Sequence, residues 1–310
     1  MKKIPVGATI AHSYRFAFGD FIAITRVLWL TWALLVAGAL LLRGPMTSFN
    51  MAMASHDFSL MQGQWGWMLL FYLTTLLIIF MQMTGLTQLA LGQSTGSRYF
   101  YFSLAKPLWR LIGGMLLAML ALIAVAITYI LAALFLGFLL RMGLTAYASA
   151  AVGTIVLGFL ALAVLVVGYC GFIYAAARFF FLLAPVIVAE NRIGVSRAWT
   201  LSKGNFWRIF LVILSILIPF CVIEIGGLLA LAGPMPLLPA GHAPAQLAAF
   251  QAAQRAWHMT STLQMQRLWF ITYPLAGLLT ALFYGLSCGA QVFAYRTLTQ
   301  DEGLAPIAGD

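Results

Sequence analysis

Leu108–Leu140 reads LWRLIGGMLLAMLALIAVAITYILAALFLGFLL, 33 residues in which Arg110 is the single charge. A bilayer core about 30 Å thick is crossed by roughly 20 apolar residues rising 1.5 Å each. This run makes about 50 Å of helix, so it crosses with a tilt or projects from the membrane. Outward from it lie five more runs of spanning length, at 22–42, 66–91, 151–177, 207–232 and 268–295. The fourth leads into Arg178 and a second apolar stretch, FFFLLAPVIVA, interrupted by Pro185. Composition agrees: 63% of the 310 residues are apolar, 8% are charged, and mean hydropathy is +0.99. That excludes a soluble globular enzyme, a disordered chain and a secreted disulfide scaffold. Continuous runs also exclude an outer-membrane barrel, whose strands alternate over about ten residues. The expected fold class is an all-α polytopic membrane protein, a single domain over 1–310.

The charges give the orientation. Lys2, Lys3, Arg15, Arg26, Arg98, Lys106, Arg110, Arg178, Arg192, Arg197, Lys203, Arg208 and Arg296 fall on one side of the six spans, and only Arg43, Arg141, Arg255 and Arg267 on the other. Cytoplasmic loops carry the excess of Lys and Arg, so both termini are expected in the cytoplasm and the chain in a bacterial inner membrane. Attraction to anionic headgroups accounts for the net charge of +10, and no nucleic-acid partner is expected. The N-terminus lacks the short apolar core and cleavage site of a signal peptide, so the first span is expected to act as the insertion signal. Cys170, Cys221 and Cys288 lie inside apolar runs and read as small apolar residues.

Under the hydrophobicity runs a threefold pattern. Ser13–Ile24, Tyr99–Gly114 and Ser196–Leu211 each combine a short amphipathic segment, a polar break and the start of a span. Asp20 and Asn205 read as N-caps and Pro107 as a first-turn residue. Each hairpin ends on a glycine, Gly85, Gly171 and Gly289, at 63, 62 and 82 residues from the aligned position after its break. Three hairpin repeats are therefore expected, over 1–95, 96–190 and 191–300, each preceded by a cytoplasmic-face amphipathic helix. The third holds an outer insertion at 233–266.

The segment Ala176–Pro219 carries a resemblance. Arg178, Pro185, Glu190, the Ser196–Trp199 helix and Lys203-Gly204-Asn205-x-Trp207 resemble a bacterial integral membrane domain family. That domain is attached to some glycerophosphodiester phosphodiesterases and stands alone in YciC-like inner-membrane proteins of unknown function. SYRFAFGDF near the N-terminus resembles the family's opening helix. The distinctive residues span about forty positions, and the catalytic domain of the fused members has no counterpart here. The resemblance therefore implies membrane topology and association with lipid, without that chemistry.

No constellation reads as catalytic. Gly285-x-Ser287-x-Gly289 matches a nucleophile elbow, but that turn needs a strand before a helix, and this one sits in an apolar helix. As Gly285-x-x-x-Gly289 it reads as a close-packing face. His56, Asp57, His242 and His258 come from separate outer loops without metal-ligand spacing, so no metal and no cofactor is expected. Glu224 is the one acid well inside an apolar run, about 26 Å past Trp207 and so near the outer headgroups. It either pairs with Arg141, Arg255 or Arg267, or takes part in proton coupling or substrate contact. Pro219, five residues earlier, kinks that helix and frees a carbonyl. Gln82, Gln88, Tyr174 and Gln291 lie in the cytoplasmic half. With Glu224 they either line a polar cavity or bond helix to helix.

Arg178, Arg192, Arg197, Lys203 and Arg208 form a basic cytoplasmic loop suited to a lipid phosphate, or to topology alone. The sequence reading is a non-enzymatic inner-membrane protein that binds, organises or moves phospholipid. Its alternatives are a small-solute transporter, or a structural subunit that assembles with itself or with another membrane protein.

Overall fold

The computed structural model describes residues 2–55, 62–93, 101–147, 150–237 and 244–300. Among them the chain is helical and contains no strand. The elements are α1 (Val6–Gly19), α2 (Phe21–Leu41), α3 (Arg43–Ser55), α4 (Trp65–Ala90), α5 (Lys106–Tyr147) and α6 (Ala150–Phe180). There follow α7 (Leu183–Glu190), α8 (Val195–Leu201), α9 (Phe206–Ala232), α10 (Pro244–Arg267) and α11 (Trp269–Thr299). Six of these, α2, α4, α5, α9, α11 and the α6–α7 pair, are long and apolar enough to cross a membrane. Five of them fall within a few residues of the runs read from sequence, while the α6–α7 span, Gly158–Glu190, starts and ends later than the run read at 151–177.

Neighbouring spans pack antiparallel. The Gln82 amide donates to the Thr31 hydroxyl between α4 and α2, Tyr129 of α5 donates to the Val164 carbonyl of α6, and Phe220 of α9 meets Phe283 of α11. This order gathers the start of α1, the end of α4, the start of α5, α7, α8, the start of α9 and the end of α11 at one end. Of the thirteen, the described Lys and Arg lie on or beside these segments, apart from Arg26 in the second turn of α2, and this end is called the basic end below. Arg43, Arg255 and Arg267 lie on α3 and α10 at the opposite end.

The core also sits at the basic end. Leu183 through Val188 of α7 are buried throughout, packed against α4, α5 and α11. A helix apolar on every side is stable only when enclosed, and α7 is the enclosed one. Pro185 lies in its first turn, where the missing N–H has no intrahelical acceptor. Asn191 ends the helix at φ 54°, a left-handed conformation that asparagine tolerates. Ile4, Leu91, Leu111, Ile209 and Tyr295 close around α7, while Phe16, Ile24, Met81, Leu86 and Leu108 form a second cluster beside it. Away from this end the spans separate. Only 6% of the most apolar part of α5 is buried within the protein, against 33% for α4 and α11. With 42 residues α5 is about 63 Å long, so its first turns rise beside α7 while farther along it touches α6 and is otherwise exposed.

Local details differ from the sequence expectation in three ways. Neither Asp20 nor Asn205 caps its helix with its side chain. Residues 101–105, ahead of α5, are not helical, so the described part of the second unit has no preceding amphipathic helix. And α1 lies antiparallel along α11, with Ser13 donating to the Leu286 carbonyl, His12 stacked on Phe293, and Phe16 and Ala17 against Gly289 and Gly285. The terminal part of α11 gives α1 a better apolar seat than an interface gives, because α1 buries Thr9 and Ser13 with bonds made to carbonyls. Pro219 is accommodated inside α9, which runs through it without a break in assignment.

The three hairpin glycines are not equivalent. A Cβ on Gly85 would meet Tyr101 and Val27 within 3 Å, and one on Gly289 would lie 3.0 Å from Phe16. Around Gly171 there is nothing within 4 Å. Gly289→Val is therefore expected to cost about 1–3 kcal/mol and lower the thermal midpoint in detergent. Gly171→Val should leave it unchanged. Equal effects at the two sites would refute this packing.

Candidate functional site

Three polar assemblies shape the basic end. The first ties down the N-terminus. Ile4 is fully buried, its N–H donates to Asn205 Oδ1 at 3.0 Å, and Asn205 Nδ2 donates to the Lys2 carbonyl at 3.1 Å. Arg208 completes the clasp by donating to the Ile4 carbonyl at 2.8 Å. Gly204, at φ 73°, makes the turn that presents Asn205, in a conformation costly for residues with a Cβ. Sequence spacing marked Asn205 as a cap. Its bonding to the other end of the chain, 203 residues away, left no local signal.

The second assembly surrounds Arg178, which is 6% exposed. Its Nε donates to Ser202 Oγ at 3.2 Å, and its two terminal nitrogens donate to Tyr174 Oη at 2.9 Å and the Trp199 carbonyl at 2.6 Å. The guanidinium carbon stands 3.7 Å from the centroid of the Trp199 ring, a close cation–π contact. Tyr174, Phe179 and Phe206 pack around that indole and phenol as an aromatic wall. Arg178 is thus the one buried member of the expected headgroup set. Its donors fasten α8 to the end of α6.

The third assembly is built on Glu190, the last residue of α7, whose side chain is 8% exposed. Arg192 donates Nε and one Nη to Oε2 at 2.8 and 2.6 Å, and Arg197 donates Nε to Oε1 at 3.3 Å. Tyr295 donates its hydroxyl to the same Oε1 at 3.3 Å. Arg110 of α5 donates to the carbonyl and side-chain oxygen of Asn191 next door. Over this group opens a polar cavity of about 310 Å³ lined by Arg192, Ile193, Gly194, Ser196, Arg197 and Thr200. The structure thus brings Arg192 and Arg197 together. Lys203 is exposed beyond the end of α8, and Arg208 belongs to the clasp. Ser196, Thr200, Tyr295 and Arg110 were missed as members of this corner. Only the i, i+4 spacing of Ser196 and Thr200 was open to sequence reading.

The expected polar cavity is dispersed. Gln82 is buried and bonded to Thr31, a helix-to-helix contact worth about 0.6 kcal/mol. Gln88 is half-buried, Tyr174 faces Arg178, and Gln291 has its carbonyl oxygen enclosed without a hydrogen-bond partner. None of these lines the polar cavity or a second, apolar cavity of about 270 Å³ in the α5–α6 seam beside Tyr129. Glu224 is exposed on α9 with no hydrogen-bond or ion-pair partner among the described side chains. His56, Asp57 and His242 lie outside the described residues. Among those described, no three His, Cys, Asp or Glu side chains gather. On the opposite side α10 is exposed along most of its length and anchored by Trp257, whose Nε1 donates to the Gly233 carbonyl.

Comparison with family models, curated proteins and solved structures finds no match to the chain.

Arg178→Lys removes the fork that reaches three acceptors and is expected to cost about 2–4 kcal/mol, read as a lower thermal midpoint in detergent. A midpoint equal to wild type would show that the three bonds do not hold α8. Burial, with Arg296 and Arg15 nearby, holds His12 below its ordinary pKa of 6.5, partly opposed by Asp20. The unfolded chain therefore binds this proton more readily, and stability is lost as pH falls through and below about 6.5. His12→Gln should flatten that part of the stability–pH curve, and an unchanged slope would assign it to other groups.

Proposed function

We propose that the chain is a non-enzymatic protein of the bacterial inner membrane that binds, organises or moves phospholipid, with its basic end in the cytoplasm. The observation that carries this reading is the Glu190 corner. Two arginines are held side by side over a polar cavity, at the end where the spanning helices converge. Lipid phosphates lie at that level of a bilayer, and each nearby basic residue favours an anionic headgroup by about 1 kcal/mol. Trp109 and Trp207 are 57% and 72% exposed beside the same end and suit the headgroup boundary, where amphipathic rings collect. The three hairpins are read as repeats of one unit, in keeping with the resemblance drawn from Ala176–Pro219. The transporter reading has less support, since Gln82 is committed to Thr31 and Glu224 faces outward.

Native mass spectrometry of gently purified protein tests this. Retained phospholipid at fixed stoichiometry is expected, with less retained after Arg192, Arg197 and Lys203 are changed to Glu. A bare chain at every detergent concentration overturns the reading in favour of a structural subunit. A tag placed in α10 should report from the periplasm, and a cytoplasmic signal would reverse the orientation.

A further inference from the structure

We infer that the cavity over Glu190 selects an anionic phosphodiester headgroup that carries hydroxyls and no amine, the glycerol-headed class of phospholipid. This rests on the lipid reading above and adds to it a choice among lipids. Charge is the first ground. Two guanidinium groups, of Arg192 and Arg197, meet the one carboxylate and a third, of Arg110, bonds Asn191 next door, so the corner keeps two positive charges. That excess attracts a phosphate and repels the ammonium of an ethanolamine or choline head.

Orientation is the second ground. Glu190 is itself buried and takes Nε of both arginines, so their planes are fixed before any ligand arrives. A preset fork loses less freedom on binding than a loose lysine does. Size and lining are the third. About 310 Å³ is at the low end of ligand-site volumes, enough for a phosphate with a short polyol and too little for a large sugar head. Ser196 and Thr200 stand one turn apart on α8 and present hydroxyls to that space. Thr200 already donates to the Ser196 carbonyl, so it meets the head as an acceptor, while the Ser196 hydroxyl is free to turn.

The fourth ground concerns the source. A soluble polyol phosphate offers the same phosphate and hydroxyls. Ile193, which lines the cavity and is 53% exposed, lies over Gly113 and Gly114 of α5. It gives the mouth an apolar edge of use only to a ligand with a glycerol backbone and methylenes behind its phosphate.

The test uses the full chain in phosphatidylcholine nanodiscs doped equally with phosphatidylglycerol, phosphatidylethanolamine and phosphatidylethanol. The last has the charge of phosphatidylglycerol without its hydroxyls. Lipids retained on ejection are counted by native mass spectrometry. Wild type is expected to keep phosphatidylglycerol about tenfold over phosphatidylethanolamine, and R192Q/R197Q to lose that preference. S196A/T200A should bring phosphatidylglycerol level with phosphatidylethanol while leaving both above phosphatidylethanolamine. If the arginine pair fails to fold, Arg192→Gln alone serves instead. The Arg192 side chain is 63% exposed, so its loss leaves the packing intact and is expected to lower the phosphatidylglycerol preference severalfold. Equal retention of all three lipids, or a preference untouched by these variants, overturns the inference and leaves the lipid reading standing. Retention of no lipid removes both. Saturable binding of soluble glycerol 1-phosphate to the delipidated chain, without any preference among the lipids, overturns the lipid seat in favour of a soluble ester.

Discussion

The burial of one guanidinium governs the geometry of the basic end. Arg178 sits close to the junction of α6 and α7, and two of its three donors reach α8 and its C-terminal cap while the third bonds Tyr174 on α6 itself. A buried cation left without acceptors is costly, so the chain must return Ser202 and the Trp199 carbonyl to it. Returning them requires α8 to fold back beside α7, which turns the intervening Asn191–Gly194 loop outward. That loop carries Arg192 and forms the edge of the polar cavity. The site is in this sense a consequence of how α6 ends.

The N-terminal clasp acts on the same region from the other side. Burying Ile4 completes the cluster around α7, and the two bonds from Asn205 fix the strand-like residues that lead into α1. With α1 seated on α11, the first and last spans are joined at the basic end by short-range packing. The α5–α6 hairpin is held at this end by α4, α7, α8 and the start of α9, and beyond it by its own seam. A protein with its core at one end and separated helices at the other exposes most of its spans to acyl chains. In a bilayer that carries no hydrophobic penalty, since lipid tails are as apolar as the side chains they touch.

Architecture was legible because the signals that set it are local and strong. Six apolar runs and an excess of basic residues on alternate loops follow directly from the bilayer's thickness and charge. The break after Phe180 was legible in part, through Arg178 and Pro185. What escaped were the bonds between distant segments. Asn205 has the composition of a cap and is used as a clasp, and Gln82 has the composition of a cavity residue and is used as a cross-link. The glycines show the same limit. Gly85, Gly171 and Gly289 end their hairpins at similar spacing, yet only the first and last meet a neighbouring side chain, because packing depends on what lies opposite. Arg192 and Arg197 were grouped by charge alone, whereas their alignment depends on a carboxylate and a tyrosine hydroxyl 105 residues apart.

Glu190 explains why such a corner can exist without a ligand. Arginines crowded at one loop repel each other, and a carboxylate between them removes most of that repulsion while leaving the loop positive overall. The same carboxylate receives Tyr295 of α11, so the loop is connected to the last span as well as to α7 and α8. A surface ion pair in high dielectric is worth little, about 0–1 kcal/mol, and Arg192 is largely exposed. Stability is therefore a poor reason for the arrangement. Its larger physical effect is to hold two donors at fixed angles above a polar hollow.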